Sequence, residues 1–243
     1  RIKPTIEISS YAGYKMNIQG SIAPYFNEKK IYLQDLTPQL IDEFYEQQLI
    51  RVSANTVIHF HANIRKALQD AFIDGIIPYN FADRAHRPKK EVFIGSYYNR
   101  EELIHLFQCI KGQPIEFAVL MAGYYGLRRS EIIGLKWSAV DFDYKTITIK
   151  HVVSECRIDG KLLLVSKDRA KTKTSIRTLP LMTPIENILM RMRASEKLNK
   201  EKFGSGYNHK YDEYIYKNEI GDLIKPGFLT QNFPIQLNRY NLR

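Results

Sequence analysis

Cysteine is almost missing from this chain: Cys109 and Cys156 are the only two in 243 residues, and neither lies in a CxxC or Cys/His spacing. That scarcity excludes a disulfide framework and a structural zinc site, and it fits a reducing cytoplasm. No run approaches the ~18–20 apolar residues of a membrane span, and no charged-then-apolar signal segment opens the chain. Acidic side chains are also in short supply. Against 36 Lys+Arg there are 26 Asp+Glu, a net charge of +10, with an isoelectric point near 9.4. An excess of that size favours a polyanion over a small acidic substrate as partner, and nucleic acid is the first candidate. The first residue is Arg rather than Met, which predicts a piece of something longer.

What is present divides in two. The length suffices for one large or two modest domains, each with its own core. Residues 1–90 hold 12 basic against 9 acidic side chains and residues 91–243 hold 24 against 17, so the second part is expected to carry the stronger anion site. In the first part, Tyr11, Tyr14, Ile18 and Ile22 recur at helical spacing and predict a buried stripe. "LTPQLIDEFYEQQL" offers Thr37 as N-cap and Pro38 at the first helical position. "SANTVIHFHANIRKALQDAFIDG" predicts a helix burying Val57, Phe60, Ile64, Ala67, Leu68 and Phe72 and stopping at Gly75. Its other face would show Asn55, His59, Asn63 and Lys66. Amides and lysine there suit base edges and phosphates in a major groove.

"RPKKEVFIGSYY", Arg87 to Tyr98, has a proline, three basic residues including Lys89 and Lys90, and no helical period, and reads as a linker. Asn99 with Glu102 then forms a capping box for the next helix. After "GLRRSEIIGLKW" the period changes to that of strands: "KTITIKHVV", an Asp159-Gly160 hairpin turn, "KLLLVSK", and later "SIRTLPL". A helix from Thr183 to about Phe203, a short strand pair around "YIYKNEIGDLIK" and a last helix from about Pro226 complete the pattern.

Two stretches carry chemistry. The helix beginning near Arg128 puts Ile132, Leu135 and Trp137 inward and leaves Arg128 at its start, beside backbone amides that also favour an anion. Glu131, three residues on, lies on the same side and would hold the Arg128 guanidinium. "SKDRAKTKTSIRTLPL" interleaves Lys167, Arg169, Lys171, Lys173 and Arg177 with hydroxyl residues, among them Ser175. This is the presentation a phosphate backbone asks of a hairpin.

With these stretches in this order behind a helical module and a basic linker, the chain resembles the tyrosine recombinases of the phage-integrase family, and most of all the integrases of conjugative transposons. The resemblance implies an all-α, SAM-like core-binding domain over residues 1–86, a linker over 87–98, and a mixed α+β catalytic domain with a small antiparallel sheet over 99–243. It implies a site-specific recombinase that cleaves and rejoins double-stranded DNA through a 3′-phosphotyrosine, integrating and excising a mobile element, as a dimer or tetramer on DNA and without a cofactor or metal. Arg128 matches the first catalytic arginine and Glu131 its supporting acid. Lys171 matches the hairpin lysine that protonates the leaving 5′ oxygen, with Lys173 as the competing assignment. DNA contact is expected from Asn55, His59, Asn63, Lys66, Lys89, Lys90, Arg129, Lys173, Ser175 and Arg177, with Arg129 turned to solvent or a DNA backbone.

The family's His-x-x-Arg motif, a further His or Trp and the nucleophilic tyrosine are not found. Tyr240 precedes the place where they belong, so no nucleophile is assigned. Two rivals stand beside the recombinase: a truncated integrase remnant that occupies DNA without cutting, and a type IB topoisomerase, which shares the chemistry but usually not the core-binding module.

Overall fold

The computed structural model describes residues 3–168 and 176–242. The chain forms two compact units, Arg1–Ser96 and Tyr97–Arg243.

The first unit is helical. α1 (Ile8–Asn17) runs through a π-helical turn at Ile18–Ile22 into α2 (Ala23–Glu28), followed by α3 (Pro38–Leu49) and α4 (Ala54–Ile73). The Thr37 hydroxyl accepts the Leu40 N–H at 3.3 Å, with Pro38 in the first turn, and Ser53 caps α4 through the Thr56 N–H. These starts were readable because each satisfies an amide that the first turn leaves without a partner. The core gathers around Phe44, which is fully buried and has the rings of Tyr25, Phe26 and Phe60 within 5.0–5.9 Å.

Two predicted stripes need correcting. Tyr14 and Ile18 stay 41% and 42% exposed, and Phe72 43%; Ala67 is exposed as well. α1 lies along one edge of α4, and between them Tyr11, Tyr14, Ile18, Asn63 and Ala67 line an open groove of about 520 Å³. The apolar edges of the two helices therefore face a groove and stop short of full burial.

The second unit opens on α5 (Arg100–Cys109), whose capping box is formed by Asn99 and Glu102, each accepting the other's backbone N–H at 2.8 Å. α6 (Glu116–Tyr125) ends on Gly126 at φ +62, a left-handed cap that glycine adopts without a Cβ penalty. α7 (Arg129–Ile133) follows, then β1 (Val140–Asp141), β2 (Thr146–Ile149), β3 (His151–Ile158), β4 (Lys161–Asp168), β5 (Arg177–Pro180), α8 (Thr183–Phe203) and α9 (Pro226–Arg239).

The alternating run "KTITIKHVV" breaks at Lys150 and serves two antiparallel sheets: β1-β2-β5, and the hairpin β3-β4. Asp159 and Gly160 both take positive φ at the hairpin turn, which sets His151 opposite Asp168 at its base. Ile147, Ile149, Met121, Ile133, Ile185 and Leu189 close the core beneath. Where a strand pair was expected, "YIYKNEIGDLIK" forms an isolated Lys217–Leu223 bridge, and its Tyr214 a second one with Lys136.

One buried charge pair ties α8 to that segment. The Lys217 side chain is 4% exposed and its Nζ lies 2.7 Å from Glu196 Oε1, while Lys200 reaches the same oxygen at 2.8 Å. The indole N–H of Trp137, the single tryptophan, donates to Glu196 Oε2 at 3.1 Å. Burial alone would raise the Glu196 pKa, but the hydrogen bonds from Lys200 and Lys217 outweigh it and hold the carboxyl below its ordinary 4.5. A depressed acid contributes stability above its unfolded pKa and loses it as pH falls through the lower folded value. Glu196→Gln is therefore expected to cost the second unit about 2 kcal/mol at neutral pH and to flatten the acid side of its stability profile, measured by denaturant titration at several pH values. Equal midpoints for variant and wild type at pH 7 would contradict this.

Candidate functional site

The chemistry-bearing side chains of the second unit meet where α6 hands over to α7. Tyr125 pins this place from one side: its hydroxyl donates to the Pro180 carbonyl at 2.8 Å and accepts the Met182 N–H at 3.0 Å, fastening the end of α6 to the end of β5. Leu127 is buried, so the chain enters α7 from a fixed position, and Arg128 stands at its N-cap with extended backbone. The Arg128 side chain is 72% exposed, while that of Glu131 is wholly buried.

Glu131 is the hub. Its Oε2 accepts the Arg128 backbone N–H at 2.7 Å. Its two oxygens also accept Nη1 and Nη2 of Arg177 at 2.9 and 3.1 Å, a bidentate fork spanning 46 residues. The guanidinium of Arg128 itself stays 3.7 Å away, outside hydrogen-bond reach. Glu131 thus pairs with the Arg128 guanidinium at ion-pair distance, holds the Arg128 main chain by a hydrogen bond, and gives its side-chain hydrogen bonds to Arg177. The pairing raises the Arg177 pKa through the hydrogen bond from Arg177 to Glu131. With α7 only five residues long, the anion attraction at this place rests on the guanidinium and far less on a helix dipole.

The other predicted contacts fare differently. Arg177, expected on a DNA backbone, is turned to Glu131. Arg129, expected at solvent or a DNA backbone, donates through Nη1 to the Thr230 hydroxyl and to the Pro226 carbonyl, the latter at 3.4 Å, and so anchors the start of α9. In the first unit His59 and Lys66 are exposed on α4, Lys66 pairing with Asp70 at 2.7 Å. Asn55 is half-buried and donates to the Glu91 carbonyl at 3.4 Å. Asn63 is 8% exposed and its Nδ2 has no hydrogen-bond partner among the described residues. It belongs to the wall of the α1–α4 groove, because α1 covers that edge of α4, and not to the open face with His59. Lys89 and Lys90 are exposed in a stretch without regular structure. Lys171, Lys173 and Ser175 lie outside the described residues.

A polar cluster at the base of the β3–β4 hairpin escaped the sequence reading. His151, 8% exposed, places Nδ1 2.6 Å from Asp168 Oδ1. Its Nε2 lies 2.9 Å from the Ser166 hydroxyl and 3.1 Å from that of Tyr214, and these two hydroxyls are 2.8 Å apart. The hydrogen bond to His151 lowers the Asp168 pKa. Lys136 sits over the Tyr214 ring at 5.1 Å. The signal was available, since the Asp159-Gly160 turn alone places position 151 across from 168.

Comparison with known proteins follows the same lines. Residues 1–49 match the family described as phage integrase, N-terminal SAM-like domain. A XerC-like tyrosine recombinase of Caldanaerobacter subterraneus subsp. tengcongensis is 28% identical over 147 residues, 58% of this chain and 38% of that protein. The chain thus spans well under half the length of that curated relative. Among solved structures, the Tn1549 transposon integrase in complex with transposon right end DNA superposes with a TM-score of 0.75 at 16% identity, over 98% of this chain and 75% of that one. A lambda integrase dimer bound to a COC′ core site gives 0.65 at 15% identity, over 99% and 77%. The SAM-like match, the 28% identity to a XerC-like tyrosine recombinase and the shared fold make this chain similar to the tyrosine recombinases of the phage-integrase family.

Proposed function

We propose that the chain belongs to a site-specific DNA recombinase that breaks and rejoins DNA strands through a 3′-phosphotyrosine intermediate, moving a mobile element in the bacterial cytoplasm and working as a dimer or tetramer on DNA. The observation that carries this reading is an exposed guanidinium on a locked mount: Arg128 is 72% exposed above a wholly buried Glu131 that fixes its backbone. The integrases of like fold were solved with DNA bound, which gives the ligand its class.

The chemistry asks for such a group. In-line attack by a tyrosine oxygen on a phosphodiester loads charge onto the nonbridging oxygens, and a preorganised guanidinium stabilises that charge more in the transition state than before it. The leaving 5′ oxygen needs a proton, the task that the family resemblance gives to Lys171 or Lys173. Bonding of the 3′ phosphate to tyrosine conserves the energy for rejoining, so that the strand is closed by the reverse attack of a 5′ hydroxyl.

The first test is binding. A chain of net charge +10 that grips several phosphates releases counterions, so affinity for duplex DNA is expected to fall on the order of a hundredfold or more between ~50 and 200 mM salt. A flat salt response in a titration of labelled duplex would overturn the nucleic-acid reading.

A further inference from the structure

We infer that Arg177 is a positioning residue whose hydrogen-bonded pair with Glu131 keeps the N–H groups of the Arg128 guanidinium available to DNA. This rests on the reading of Arg128 as a phosphate contact and adds to it a reason why that arginine is available. A carboxylate with no exposure, such as that of Glu131, is strongly driven to find a cation. Among the described residues, Arg177 and Arg128 are both near enough to supply one. Arg177 does so with a bidentate fork at 2.9 and 3.1 Å, and its side chain is itself only 33% exposed. Arg128 stands 3.7 Å away, close enough to take over by a side-chain rotation. With Arg177 in place its fork takes side-chain hydrogen bonds of Glu131, and Arg128, paired only at 3.7 Å, keeps its N–H groups for an external anion.

The strand that carries Arg177 is held independently. β5 pairs with β2 through four residues, Arg177 opposite Ile149, and its far end is bonded to Tyr125. The fork therefore arrives at Glu131 from a fixed strand, and it joins that strand to the start of α7. Both terminal nitrogens of Arg177 are taken up by Glu131. Its effect passes through Glu131 to Arg128.

The test is an epistasis experiment on duplex binding, read as the slope of log affinity against log salt. Removing one phosphate contact lowers that slope by about one. In the wild-type background Arg128→Ala is expected to lower the slope by about one. In Arg177→Gln the same change should have no effect, because Glu131 has already captured Arg128. In Glu131→Gln/Arg177→Gln the carboxylate is gone, and Arg128→Ala should again lower the slope by about one. Recovery in the double variant is what a merely structural role does not produce. An undiminished effect of Arg128→Ala in Arg177→Gln, or no recovery in the double variant, would overturn the inference while leaving DNA binding by Arg128 intact. No effect of Arg128→Ala in the wild type would instead overturn the reading of Arg128 on which the inference rests. A measurement on the unaltered chain stands beside these should Arg177→Gln not fold. In nitrogen-15 side-chain spectra, DNA is expected to move the Arg128 Nε–H signal and leave that of Arg177 in place. Movement of Arg177 alone would make it the DNA contact and refute its positioning role.

Discussion

Arg128→Lys is expected to leave duplex binding close to wild type and to slow strand cleavage by about 10²–10³ in the cleavage-competent protein. The two effects part because lysine keeps the charge, which governs counterion release, and loses the planar fork that spans two phosphate oxygens. Nothing in the mount compensates. The Arg128 backbone is held by Glu131 at 2.7 Å, so a shorter, single-point ammonium starts from the same place and reaches one oxygen where two charges develop. Arg129→Lys serves as the control. Its guanidinium is occupied with Thr230 and Pro226, and the loss of that anchor is expected to reduce stability more than the chemical step. The measurement is single-turnover cleavage of a suicide substrate, with affinity determined in parallel. Arg128→Lys cleaving within about threefold of wild type, a difference under 1 kcal/mol in barrier, would remove Arg128 from the phosphate.

The arginine was visible in the sequence because the features around it are local. Thr37, Asn99 and the Asp159-Gly160 turn were readable for the same reason: each satisfies or shapes backbone within three or four residues of itself. What the sequence concealed is nonlocal. The partner of Glu131 is 46 residues away and that of Arg129 is 101 away, and no spacing rule connects an acid on a short helix with a basic residue on a later strand. The fate of Asn63 shows a different limit. Helical periodicity put it on one arc with Asn55, His59 and Lys66, but which part of that arc stays open depends on where α1 lies against α4. The strand run through Lys150 read as continuous because alternation does not say which sheet a residue joins, and the chain changes sheets there. Between these cases lies His151. Its pairing with Asp168 follows from the hairpin register, whereas its contact with Tyr214 required the fold to bring a third segment alongside.

That nonlocal assembly depends on a close approach between α7 and β3, and Gly134→Ala is expected to break it at a cost of about 3 kcal/mol to the second unit. The glycine is not there for its backbone freedom. At φ −76 and ψ −2 it has a conformation that alanine adopts readily. Space is the reason. A Cβ at this position would lie 2.6 Å from Val152 Cα, 2.8 Å from the His151 carbonyl oxygen and 2.9 Å from Val152 C. All three are backbone atoms of β3, so no side-chain rotation relieves the clash and the strand itself must move. Gly126 presents the opposite case. It lies at φ +62, and a methyl group added there would meet nothing within 4 Å among the described residues, so Gly126→Ala meets the left-handed conformational penalty, about 1 kcal/mol. The midpoint of thermal unfolding followed through Trp137 should therefore drop by about 10 °C for Gly134→Ala and about 3 °C for Gly126→Ala. The order of the two is the test. A larger loss at Gly126 would mean that β3 yields easily, and that the distance between α7 and the hairpin is not what holds Glu131 and Arg177 in register.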